Sequence, residues 1–89
     1  MPAIERIGDL NTAGAPIKGT PQQSVFANNI LVAVNGSPVA KHGKGSHSSP
    51  RTANGSQNVF INHIPINRVG DGDTCGHSRS SGSPNVFVN

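Results

Sequence analysis

Tryptophan and tyrosine are absent from this 89-residue chain, and phenylalanine occurs only three times. Cysteine occurs once, at Cys75, so no internal disulfide framework can staple the fold. The acidic residues are four, Glu5, Asp9, Asp71 and Asp73, and no pair of them reads as a general acid and base. No apolar run approaches the ~20 residues of a membrane span. The opening Met1-Pro2-Ala3-Ile4-Glu5-Arg6 lacks the apolar segment of a secretory leader, so the chain is expected to be made in the cytoplasm without a signal peptide. The formal charge of +3 comes from Lys and Arg scattered between Arg6 and Arg79, with neither a basic stripe nor interleaved aromatics. Nucleic-acid binding is not expected on that pattern.

The chain does carry a phrase written three times: Gly19-Thr20-Pro21-Gln22-Gln23-Ser24-Val25-Phe26-Ala27-Asn28, Gly55-Ser56-Gln57-Asn58-Val59-Phe60-Ile61-Asn62 and Gly82-Ser83-Pro84-Asn85-Val86-Phe87-Val88-Asn89. All three phenylalanines fall at its same point, so the repeat is expected to define the core. A second half follows at fixed spacing, Ile30 to Ser37 in one copy and Ile64 to Asp71 in the next. Arg6-Ile7-Gly8-Asp9 is the same corner without its preceding strand. The stretch from Gly36 to Phe60 exceeds its counterparts from Gly8 to Phe26 and from Gly70 to Phe87 by about seven residues, so the middle unit carries an insertion.

The apolar runs are short and β-branched, and Gly or Pro interrupts every window long enough for an amphipathic helix. Ala27-Asn28-Asn29-Ile30 and Ile61-Asn62-His63-Ile64 read as two-residue hairpin turns, because Asn tolerates the left-handed backbone such loops require. His63 is thereby a solvent-exposed turn residue. The fold class is all-β: a small domain of β-hairpins with pseudo-threefold repeats, spanning residues 1–89, in which a wrapped arrangement leaves no free edge. Arg6 to Asp9 and Arg68 to Asp71 are expected to form corners rather than catalytic sites.

With one third of the residues hydrophobic, 11 Gly and 7 Pro, so small a core needs help from a metal, a partner or both. Counting from the corner glycines locates the metal candidates. After Gly70 come Cys75 and His77; after Gly36 come His42 and His47, inside the insertion; after Gly8 the places of Cys75 and His77 hold Ala13 and Ala15. Three imidazoles and a thiolate on equivalent loops suit tetrahedral zinc, with iron as a substitute. Four protein ligands leave no open coordination position, so the site is structural and no enzyme activity is expected.

The Gly-Ser-x-x-Val-Phe-x-Asn phrase, the Arg68-Val69-Gly70-Asp71 corner, Cys75-Gly76-His77 and the closing Gly82 to Asn89 together resemble the PAAR-repeat family over essentially the whole chain. The tetrapeptide of that name stands here as Pro65-Ile66-Asn67-Arg68, Leu31-Val32-Ala33-Val34 and Ala3-Ile4-Glu5-Arg6. The resemblance implies a cone of β-hairpins with a metal near its apex. It implies a tip capping the trimeric β-helical spike of a contractile injection machine, one tip per trimer, driven into a target membrane, with no small-molecule substrate. The location would be a phage tail baseplate or a type VI secretion system. No passenger domain is expected, and the bare tip fits a baseplate somewhat better. The rival roles are a stand-alone zinc-binding protein, a metal-dependent hydrolase, and an adaptor for a secreted effector.

Overall fold

Four residues with positive φ make the two tightest turns: Asn28 and Asn29 at 55° and 63°, Asn62 and His63 at 51° and 68°. Two successive left-handed residues give a loop whose twist matches that of the strands it joins. The computed structural model describes residues 1–89. In it the first turn joins β1 (Phe26–Ala27) to β2 (Ile30–Leu31), and the second joins β3 (Phe60–Ile61) to β4 (Ile64–Pro65). Both pairs are antiparallel, with Phe26 opposite Leu31 and Phe60 opposite Pro65.

A third hairpin is assembled from the two ends of the sequence. Phe87 faces Ala3 in an antiparallel bridge. The Val88 amide donates to the Pro2 carbonyl at 3.0 Å and that of Ile4 to Val86 at 2.9 Å. Residues 2–4 therefore take the place of β2 and β4, which accounts for the corner at Gly8 having no strand of its own before it in the sequence.

Inside the hairpins the three units meet in a closed ring of backbone hydrogen bonds. The Glu5 amide donates to the Asn67 carbonyl at 3.0 Å, Asn67 to Ala33 at 3.0 Å, and Ala33 to Glu5 at 2.9 Å. All three residues are fully buried. Each chain segment then turns at a glycine with positive φ, Gly8, Gly36 or Gly70. In units one and three the Asp9 and Asp71 carboxylates accept the Arg6 and Arg68 amides at 2.8 and 2.7 Å and also hold the guanidinium groups. Ser37 does the same for the Val34 amide at 3.2 Å in unit two. The corner role expected for these residues is thus what the structure shows.

Beyond the corners lies a second closed layer of six short segments. Leu10 bridges to Pro16, Ile17 to Val39, Pro38 to Arg51, Thr52 to Asp73, Gly72 to Ser78, and Arg79 back to Asn11. Every segment has two neighbours, so the belt exposes no edge to pair with another chain. Residues 12–15, 40–50 and 74–77 connect successive segments at the end of the belt away from the hairpins. The molecule measures 32 × 23 × 23 Å, with the two equal short extents expected of a body with a near-threefold axis.

Val32, Val34, Ile4, Ala27, Ile61 and Ile66 fill the hairpin layer, and Ala15, Ile17, Ala33 and Val39 fill the belt. The phenylalanines do not. Phe26, Phe60 and Phe87 are 57%, 51% and 48% exposed. The core expected to form around them is built instead by their neighbours, because side chains alternate across a strand: Ala27 and Ile61 point inward, which turns Phe26 and Phe60 outward.

The repeat register also differs in unit one. Ser56 and Ser83 each accept two amides with one hydroxyl, from Asn58 and Val59 and from Asn85 and Val86. In unit one Gln22 does this work, its Oε1 accepting Ser24 and Val25 at 2.9 Å each. Thr20, aligned with those serines by its preceding glycine, donates instead to the Val32 carbonyl. Helix is confined to a 3-10 turn, Gly45–His47, in the long middle loop.

Candidate metal centre

Loops 40–50 and 74–77 carry the four residues singled out in the sequence, and the fold brings all four together. One nitrogen or sulfur from each of His42, His47, Cys75 and His77 lies within 4.8 Å of the others, and all four side chains are half-buried. The turn Gly45–His47 folds the long loop back so that the His42 amide donates to the His47 carbonyl at 3.0 Å. In unit three the Asp73 amide donates to the His77 carbonyl at 2.7 Å, and that of Gly76 to the Asp73 carbonyl at 3.1 Å, which sets Cys75 and His77 on one side of a tight loop. Gly76 has a φ of 92° there, a conformation a side chain would strain.

Donor spacing tells what this cluster can hold. His47 Nδ1 is 3.1 Å from His42 Nε2, and Cys75 Sγ is 3.6 Å from the same nitrogen. A tetrahedral ion with bonds of zinc length has N···N edges of about 3.3 Å and N···S edges of about 3.6 Å. The three imidazole rings are mutually tilted with centroids 5.0 to 5.2 Å apart, an arrangement that points ring nitrogens inward rather than stacking faces.

The outer nitrogens are also placed. His42 Nδ1 lies 3.0 Å from the Ala40 carbonyl, so Nδ1 carries the proton and Nε2 is left with its lone pair facing the cluster. His77 Nδ1 lies 3.2 Å from the Thr12 hydroxyl, which orients that ring in the same way. Thr12 belongs to the unit in which Ala13 and Ala15 hold the places of Cys75 and His77. The Ala13 and Ala15 positions do match Cys75 and His77, since Asn11 N donates to Ala15 O as Asp73 N does to His77 O. The missed contributor sits one residue earlier, and its only sequence signal is a hydroxyl next to the empty position. His63 lies in its hairpin turn, exposed and outside the cluster.

A closed β-repeat body with a histidine and cysteine cluster at one end and exposed phenylalanines at the other defines a small β scaffold whose cluster could hold a metal ion. Its only surface pocket, about 140 Å³, is lined by Lys18, Pro38, Val39, Ser48, Ser49, Pro50 and Arg51 and does not include the cluster. The family model described as PAAR motif matches residues 7–78, and the chain belongs to that family, the spike tips of contractile injection systems. The search of curated proteins finds no match. No helix is long and apolar enough to cross a membrane.

Proposed function

We propose that this chain is the tip of a contractile injection spike, one chain capping one trimeric β-helix, with a structural zinc ion near the apex. The observation that carries the reading is the pairing of opposite ends. Phe26, Phe60 and Phe87 stand at equivalent points of the three hairpins and remain about half exposed, while the four donor residues gather on the far side of the belt. A single chain with three equivalent apolar corners is a natural match for the end of a threefold trimer. Covering three half-exposed phenylalanines is worth roughly 1 kcal/mol or more apiece.

The donor set supports zinc, because imidazole and thiolate donors at these spacings suit a borderline ion in tetrahedral geometry. His42, His47, Cys75 and His77 would hold it through four protein bonds, which leaves no position for a substrate. A closed site of this kind contributes on the order of 10 kcal/mol to folding in small zinc-dependent peptides, comparable to the whole stability of an ordinary domain. The role is mechanical. The test is native mass spectrometry of the tip mixed with a trimeric spike β-helix: the expected species is one tip on one trimer with one zinc. A three-to-three complex, or no complex, would overturn the reading.

A further inference from the structure

Between the inner ring and the belt lies a sealed group of charged side chains that neither the metal centre nor the hairpin surface uses. Glu5, Asp73 and Arg79 are 0%, 5% and 1% exposed. Arg79 reaches Asp73 Oδ2 at 3.1 Å but Glu5 Oε1 only at 3.6 Å, too long for a good hydrogen bond. Asn11 adds a second donor to Asp73 Oδ2 at 3.0 Å. Two carboxyl groups and one guanidinium thus share a space closed to bulk solvent. If both acids were ionised, one negative charge would be buried without a partner.

Hydrogen bonding singles out the acid that must be neutral. Asp73 has two donors on Oδ2. Asp9, also nearby, is occupied by Arg6, which donates to it from its amide and its guanidinium. Glu5 has no hydrogen-bond partner on either oxygen, and Asn67 Oδ1 and Asp73 Oδ1 are buried acceptors that also lack a donor. A proton on Glu5 removes the unpaired charge and supplies a donor where four buried acceptor oxygens lack one and the only unpaired donor is Arg79 Nε. There is little room for another occupant: a methyl group on Gly82 would already meet Glu5 Oε2 at 3.0 Å.

We propose that the folded protein carries a bound proton on the Glu5 carboxyl, so that the joint between its three units is proton-dependent and weakens as the pH rises. Glu5 is a member of the backbone ring, and its carboxyl faces Arg79 and the space beside Gly82, so the charge formed on deprotonation lies where the first and third units meet. The groups facing it agree with this assignment. Burial pushes its pKa from 4.5 to about 8, Arg79 opposes the rise, Asp9 and Asp73 add to it, and Arg6 opposes it weakly. A carboxyl raised in the folded state contributes stability that is full below its unfolded value and is lost as pH rises through its folded value.

The experiment compares metal-loaded wild type with Glu5→Gln, which keeps the shape and the neutral charge at every pH. Denaturant unfolding is followed from about pH 6 to about pH 9, where the folded-to-unfolded ratio of wild type relative to the variant should fall about tenfold per pH unit and level off above pH 8. Metal-ligand protonation is common to both proteins and cancels in that ratio. Carbon NMR of the wild-type carboxyl groups gives a second reading that does not depend on the variant folding. The Glu5 signal should be that of a neutral acid at pH 7 and should titrate near pH 8. A ratio that stays constant with pH, or an ionised Glu5 at neutral pH, would overturn the proposal.

Discussion

Ala3 and Phe87 face each other across an antiparallel bridge as Leu31 faces Phe26 and Pro65 faces Phe60. The three hairpins are thus equivalent, two joined by a covalent turn and one completed by segments from opposite ends of the sequence. Asn89 and Met1 occupy the place of the turn residues Asn28-Asn29 and Asn62-His63.

That equivalence predicts a circular permutant. A chain in which Asn89 is joined to residue 1, with Met1→Gly to supply an Asn-Gly turn, and reopened between Asn28 and Asn29 should fold with unchanged metal content. The backbone-cyclised form should melt higher than the parent, since closure removes entropy from the unfolded chain. Circular dichroism melting checks folding and stability, elemental analysis checks the metal, and a permutant that fails to fold would show the third hairpin to be no equal of the others.

Gly82 and Gly55 occupy matching tight places against the next unit. A methyl group on Gly82 would lie 2.7 Å from the Ile4 carbonyl, and one on Gly55 would lie 2.7 Å from that of Ile66. Backbone cannot retreat as a flexible side chain does, so Gly82→Ala and Gly55→Ala should each cost about 1–3 kcal/mol. Gly19→Ala meets only Pro38 at 3.7 Å and should be within ~0.5 kcal/mol of wild type. Denaturant midpoints measure all three.

Chelation or loss of a donor should lower metal content and melting temperature together. Cys75→Ala and His47→Ala are expected to release the ion and to lower stability by several kcal/mol, because metal binding is folding energy in a domain this small. His63→Ala, in the exposed turn, should change neither quantity. Thr12→Val should fall between them: its hydroxyl orients His77, and loss of such a partner typically costs 10–100-fold in metal affinity. Competition with a colorimetric chelator ranks the four variants.

The exposed aromatics give a variant that separates docking from folding. Phe60→Ser should weaken attachment to a trimeric spike about tenfold while lowering the melting temperature only modestly, since about half of the ring is already exposed. Val86→Ser should instead lower the melting temperature, because Val86 packs against the core cluster. Affinity and melting measured side by side test the assignment of the two ends.

Much of this was readable in the sequence, for reasons that differ from element to element. The hairpin turns announce themselves because only Asn, Gly and few other residues sit at positive φ without strain. The donor cluster was findable because the corner glycines give a ruler that carries Cys75, His77, His42 and His47 to equivalent loops. Other features leave no such mark. A strand of two residues has no measurable alternation, so nothing in Phe26-Ala27 or Phe60-Ile61 tells which side chain points inward. Gln22 does the work of Ser56 and Ser83 with a longer side chain, and the extra reach disguises the register. Glu5 and Arg79 stand far apart in the chain, and only the closing of the belt brings them to 3.6 Å.

The ring formed by Glu5, Ala33 and Asn67 runs around the axis, each residue donating to one neighbour and accepting from the other. Thrust along the axis of a wedge tends to splay its sectors outward, and a circumferential chain of bonds carries that load in tension as a hoop carries the burst of a barrel. For any sector to leave, both of its bonds in the ring must lengthen together, so the load is shared rather than peeled bond by bond. A body closed in this way, only 23 Å across, ties its three sectors together without a long strand or a bulky core.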